Sequence, residues 1–215
     1  MKVWAFSLAL FLMTLVVSPA IGYGETLVLL GDSLTFGGDK FVQIATKAKV
    51  FNLGVVGDTT MSLWGRLDEV VKLNPDRIYL QVGINDLGNN FSAEDIVQRH
   101  ERIWAELTEK IPKVKIYVCS LIPVRESYFS HRPHRLSNAY IRVVNTELAK
   151  AAGKKGLPFI DLFTPLVGPD GELPQALTYD GVHITPLAYQ VWLATLKPYL
   201  PEGVNHLDRP LDAEP

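Results

Sequence analysis

The sequence predicts an α/β domain built on a parallel sheet with helices on both faces. Three observations carry this expectation. Short apolar runs alternate with longer amphipathic ones; the short runs are β-branched and almost continuously apolar; and the polar residues capable of chemistry follow the short runs instead of preceding them. Strand–helix alternation selects parallel strands joined by crossovers. Strands covered on both faces lose the polar–apolar alternation of half-exposed ones. In open α/β sheets functional groups collect beyond the carboxyl ends of the strands.

Each element follows from local signals. Residues 26–30 (TLVLL) form the first expected strand, stopped by Gly31. Residues 50–53 form the second. Residues 77–82 (RIYLQV) form the third, introduced by the turn signal Asn74-Pro75-Asp76. Residues 114–119 (VKIYVC) form the fourth, stopped by Ile122-Pro123, and residues 157–160 the fifth. Between them, residues 41–47 read as a short helix. Residues 60–73 read as a longer one, with Leu63, Leu67, Val70 and Val71 at helical spacing. Ser92 caps a long helix whose first turn is acidic at Asp95 and whose core face carries Ile96, Ile103, Trp104 and Leu107. Residues 137–152 form another helix, closed by Gly153, and Pro186 opens the last one, reaching about Tyr199.

Composition narrows the function. The chain of 215 residues is 47% hydrophobic and 20% charged, long enough for one well-packed domain. Its 21 Lys and Arg stand against 23 Asp and Glu, a formal charge of −2, which argues against nucleic acid as a partner. Cys119 is the single cysteine, so no intrachain disulfide forms and structural zinc has almost no ligands to use. Lys2 precedes an apolar run over residues 3–17, broken only by Ser7 and Thr14, and small residues follow at Ser18 and Ala20. This pattern is that of a secretory signal peptide over residues 1–22, cleaved after Ala20 or Gly22. It leaves an exported, periplasmic or extracellular protein with no stable membrane span; the alternative is an uncleaved N-terminal anchor.

Four segments deliver chemistry to one end of the sheet. They are Gly31-Asp32-Ser33-Leu34, the stretch from Asn52 to Thr60 with Gly54 and Gly57, Gly83-Ile84-Asn85-Asp86, and Asp180-Gly181-Val182-His183. Acyl transfer needs these residue types. A serine hydroxyl requires a base within hydrogen-bond reach, histidine titrates near working pH, and a carboxylate fixes the imidazole tautomer. Asp180 and His183 are three apart, so one turn can set them side by side. Backbone N–H groups at Ser33 and Gly57 and the Asn85 amide are candidate donors to an oxyanion.

Taken together, the four blocks resemble those of the SGNH (GDSL) hydrolase family, in the family's order and over nearly the whole of residues 25–202. The resemblance implies a three-layer α/β/α sandwich of flavodoxin-like type with strand order 2-1-3-4-5, and no cofactor or metal. It implies hydrolysis of carboxylic esters or thioesters through an acyl-enzyme. Ser33, Asp180 and His183 would be the triad, and Ser33, Gly57 and Asn85 the oxyanion hole, with Gly54 the alternative to Gly57. The substrates implied are lipid, lysophospholipid or O-acetyl-carbohydrate esters. Tyr128 and Phe129, in the stretch after the fourth strand, are candidates to line the acyl pocket.

Competing readings are a metal-dependent phosphoesterase and a non-catalytic carbohydrate-binding module on the same scaffold. The first is short of ligands, because His183 is the only histidine in the four blocks. His131 and His134 have no nearby carboxylate or cysteine to complete a metal site. Asp58 and Asp86 are expected to stabilise their loops, Cys119, Trp64 and Trp104 to pack, and His100 and His206 to be solvated; residues 203–215 form a polar tail. N-terminal sequencing of the exported protein is expected to begin just after residue 20 or 22, and a first residue of Met1 would contradict cleavage.

Overall fold

Five apolar runs assemble into one parallel sheet: β1 (Thr26–Gly31), β2 (Lys49–Gly54), β3 (Arg77–Gln81), β4 (Lys115–Cys119) and β5 (Phe159–Ile160). The structure, a computed structural model, describes residues 24–38, 48–129 and 135–201. The expected leader, the expected helix over residues 41–47, His131, His134, His206 and the expected tail lie outside the described residues. Strand order is β2-β1-β3-β4-β5, as the resemblance implies. Leu27, Val28, Leu29 and Leu30 are all buried, because consecutive β-strand side chains point to opposite faces and helices cover both. β5 is shorter than the expected 157–160, since Pro158 has no N–H to give the ladder and contributes only its carbonyl, to the Val118 N–H at 2.9 Å.

Among the described residues six helices lie between the strands, α1 (Ser33–Gly37), α2 (Thr60–Trp64), α3 (Leu67–Leu73), α4 (Ile84–Gly88), α5 (Ala93–Lys110) and α6 (Asn138–Lys154), and a seventh, α7 (Pro186–Leu196), follows β5. In α5 Ser92 and Asp95 form a reciprocal capping box, worth about 1 kcal/mol. α6 runs past Gly153 to Lys154, and the chain turns at Gly156 instead. α7 begins at Pro186 as expected and ends at Leu196, with a 3₁₀ turn completing the reach to Tyr199.

Two expectations are corrected. The helix expected over residues 60–73 is broken at Gly65-Arg66 into α2 and α3, because Arg66 turns inward to partners beneath it. The break leaves Trp64 40% exposed, its indole N–H donating to Glu106 at 2.7 Å. His100 is fully buried, not solvated: it falls on the Ile96, Ile103, Leu107 face of α5, and its Nε2 lies 3.0 Å from the Val82 carbonyl. Among the described residues no helix is long and apolar enough to cross a membrane.

Burial holds the His100 imidazole below its ordinary pKa, although the Val82 carbonyl and Asp86 pull the other way. The ring is therefore neutral in the fold and free to charge when unfolded. The unfolded chain binds more protons as pH falls below about 6.5, so this contribution is intact above that pH and lost below it. Between about pH 7 and about pH 5 the urea midpoint of His100→Gln is expected to fall less than that of the wild type. Equal falls would contradict the assignment.

Candidate active site

The register of the sheet brings the candidate residues to one level. Gly31 stands opposite Gly54 on one side and Gln81 on the other, so β1, β2 and β3 end together and their loops emerge side by side. Arg66 ties these ends. Its Nη2 donates to the carbonyls of Gly31 (3.1 Å) and Leu53 (2.8 Å), and its Nε to Asp58 Oδ2 (2.7 Å). The other Asp58 oxygen accepts from Ser62 Oγ at 2.8 Å. The third loop is held likewise: buried Asp86 accepts from the Thr60 N–H (2.8 Å), Thr60 Oγ1 (2.6 Å) and Arg99 (3.1 Å). Both aspartates stabilise their loops, as expected.

Ser33 opens α1. The cap of this helix is Asp32, whose carboxylate accepts from the Leu34 N–H at 3.0 Å, so the Ser33 hydroxyl is not spent on capping. Tyr189 on α7 donates to the Leu34 carbonyl at 2.8 Å and pins the turn from below. Burial raises the Asp32 carboxyl to about 7, and the negative fields of Asp86 and Asp58 act in the same direction.

Asp180 and His183 lie on a pinched loop, not on a helical turn. An isolated antiparallel bridge joins Thr178 to Ile184, and Thr178 Oγ1 donates to the His183 carbonyl (2.8 Å) while accepting from the Gly181 N–H (2.9 Å). Gly181 is at φ +97°, which only glycine adopts without strain. Asp180 Oδ1 accepts from the N–H groups of Val182 (2.9 Å) and His183 (2.8 Å), and Oδ2 lies 2.6 Å from His183 Nδ1. Across the site His183 Nε2 is 3.0 Å from Ser33 Oγ. Partial burial raises the Asp180 carboxyl, but the bonds from the His183 ring and the two N–H groups outweigh it and hold the group below its ordinary value. Asp180 is thus an acceptor at neutral pH, which places the ring proton on Nδ1 and leaves Nε2 free to accept from Ser33. The His183 and Asp180 side chains are 48% and 53% exposed, so the site is open to solvent.

Gly54 and Gly57 separate clearly. The Gly54 N–H is bonded to Asn52 Oδ1 at 2.8 Å, whereas Gly57 is exposed and its N–H has no protein partner among the described residues. Asn85 donates from Nδ2 to the Asp58 carbonyl at 2.9 Å, which fixes the amide and leaves its second hydrogen available. The loop after β4 contains a 3₁₀ turn (Glu126–Tyr128). Tyr128 is 42% exposed under the Arg125 guanidinium, while the Phe129 ring turns toward Gly181. Among the described residues no group of three His, Cys, Asp or Glu side chains is placed to hold a metal ion.

Sequence reading passed over Arg66 and Asn52. Arg66 had a signal: it lies on the same helical stripe as Leu63, Leu67 and Val70, where a charge must find buried partners. Asn52 had only the local possibility of bonding the Gly54 N–H two residues on; its bond to the Thr35 carbonyl (2.8 Å) depends on how β2 lies beside α1.

Comparison with known proteins bears on the family and the fold. The model of the GDSL-like lipase/acylhydrolase family matches residues 29–191. The chain is 26% identical over 168 residues to platelet-activating factor acetylhydrolase IB subunit alpha1 of Bos taurus, covering 73% of this chain and 69% of that one. It is 25% identical over 159 residues to an N-acylneuraminate cytidylyltransferase of Streptococcus agalactiae serotype V, covering 74% of this chain but only 34% of that protein, so it spans about a third of that relative. The solved structure of a GDSL-like lipase from Bacteroides thetaiotaomicron superposes with a TM-score of 0.71 at 21% identity, over 81% of this chain and 87% of that one.

The Arg66–Asp58 pair is mostly buried, with side chains 14% and 7% exposed. Breaking one partner of such a pair strands the other charge, so Arg66→Gln is expected to destabilise the fold by about 3–5 kcal/mol in urea unfolding. A loss below about 1 kcal/mol would contradict the role given to Arg66.

Proposed function

The chain belongs to the GDSL-like lipase/acylhydrolase family, and on that premise we propose that it hydrolyses carboxylic esters through an acyl-serine intermediate. One observation carries the mechanism: the continuous line from Asp180 Oδ2 through the His183 ring to Ser33 Oγ, with spacings of 2.6 and 3.0 Å. Ser33 Oγ attacks the ester carbonyl carbon while His183 Nε2 takes its proton. Asp180 holds the tautomer and stabilises the imidazolium. The oxyanion accepts from the N–H groups of Ser33 and Gly57 and from Asn85 Nδ2. Collapse expels the alcohol, which takes the proton from His183, and water activated by the same ring releases the acid.

The half-exposed His183 and Asp180 side chains favour a substrate with a small acyl group and a bulky alcohol that can remain in solvent. O-acetyl-carbohydrate esters and lipids that carry a short acyl group fit that description; a lysophospholipid, whose acyl group is long, does not. Tyr128, exposed and next to Phe129, whose ring meets Gly181, is an aromatic side chain available to meet the substrate. Export directed by residues 1–22 would bring the enzyme to lipid and cell-surface esters in preference to intracellular thioesters.

With p-nitrophenyl esters from acetyl to palmitoyl, turnover is expected to be highest for the short acyl groups. Ser33→Ala is expected to lower kcat by about four to six orders of magnitude, and Asn85→Ala by about a hundred- to a thousand-fold. Full activity in Ser33→Ala would refute the mechanism; an unchanged kcat in Asn85→Ala would remove that residue from the oxyanion hole.

A further inference from the structure

We infer that Phe129 is a positioning residue for the turn carrying Asp180 and His183, and not a wall of the acyl pocket. The inference rests on the roles proposed above for those two residues. Gly181 lies between them in the turn, buried and at φ +97°. A Cβ placed on it would stand 2.9 and 3.1 Å from the Phe129 ring atoms Cε1 and Cζ, and 2.9 Å from the Arg125 carbonyl oxygen. Ring and carbonyl therefore sit directly on the Cα of Gly181. From the same loop the Arg125 N–H donates to the Gly181 carbonyl at 2.8 Å. Because the Asp180 and His183 side chains are half-exposed, much of the turn's support has to reach it through its backbone; Thr178 and Tyr179 hold the His183 carbonyl, and the loop after β4 makes its contact at Gly181.

The loop that presents Phe129 is stiff. Asn138 takes the Val124 N–H on Oδ1 (2.8 Å) and gives Nδ2 to the Val124 carbonyl (2.7 Å). The Leu173 N–H bonds to the same carbonyl at 3.1 Å. Arg125 Nη1 donates to the Leu173 carbonyl (3.1 Å), and Glu172 accepts from the Ser127 N–H (3.2 Å) and hydroxyl (2.7 Å). Glu126 accepts from the Asn138 N–H at 2.6 Å. Four successive residues, Val124 to Ser127, are thus tied to the scaffold immediately before the ring that meets Gly181. A pocket wall that accommodates different acyl chains has no need of this fixation. A brace for His183 does, since displacing a reacting group by about 1 Å can cost on the order of a hundred-fold in rate.

Two readouts on the full chain test the inference: kcat and KM across p-nitrophenyl acetate, butyrate and octanoate, and the low-field proton resonance of the His183 Nδ1–H bonded to Asp180. Phe129→Ala is expected to lower kcat about ten-fold or more and to the same factor for every ester, with KM held within about two-fold. The low-field resonance should broaden or disappear. Phe129→Leu, which restores apolar bulk, should recover most of both. A change in KM or in acyl-length preference with the resonance intact would overturn the inference in favour of a pocket role; so would an unchanged kcat and resonance. If the wild type hydrolysed no ester, the esterase reading would fail, while the resonance in Phe129→Ala and Phe129→Leu would still decide whether Phe129 positions the turn.

Discussion

A single guanidinium joins the sheet to the site. Arg66 binds the last carbonyl of β1, the carbonyl of Leu53 near the end of β2, and Asp58 in the loop that carries Gly57. The Gly31 carbonyl, which also accepts from the Val55 N–H at 3.1 Å, and the Leu53 carbonyl share this one donor, so a buried arginine joins the two strand ends and fixes the spacing of the loops that follow. The remaining Asp58 oxygen is taken by Ser62, and the Asp58 carbonyl holds Asn85, so the constraint extends from β1 through β2 to the loop after β3. The helix break at Gly65-Arg66 is the conformational cost of turning Arg66 inward.

The half of the site that comes from the C-terminal part of the chain is held by other means. Thr178 and Ile184 pinch the loop shut, Asp180 bonds back to the N–H groups of its own turn, and the Arg125 backbone grips Gly181 from the side. These restraints are short and mostly main-chain, and they leave the side chains of Asp180 and His183 facing solvent. The line from Asp180 to Ser33 is therefore open to solvent while its groups stay in register. On the proposed mechanism, a pre-organised site of this kind would stabilise developing charge with little reorganisation during the reaction.

The sheet was legible in the sequence because buried parallel strands announce themselves as short, continuous, β-branched runs, and residues 26–30 and 77–82 do so plainly. The gathering of Ser33, Asn85, Asp180 and His183 at one end was legible because each sits just after an apolar run or just before the last helix. What escaped were features set by long-range neighbours. His100 reads as a polar residue on a helix until the spacing from Ile96 to Ile103 is taken seriously, and then its burial follows. The break at Arg66 requires knowing that Gly31 and Leu53 end beside each other. The contact of Phe129 with Gly181 joins segments some fifty residues apart, and no local periodicity encodes it. Periodicity reports which face is buried; it does not report which partner a buried group finds.

The central claim is that Ser33 is an activated nucleophile, made so by His183 and Asp180. It is tested most directly by treating the purified protein with a fluorophosphonate, which reacts only with an activated serine, and mapping the adduct by peptide mass spectrometry. A single adduct on Ser33, abolished in His183→Ala, is the result the account predicts. A protein that hydrolyses esters but carries no adduct on Ser33, or carries it on another serine, would contradict it.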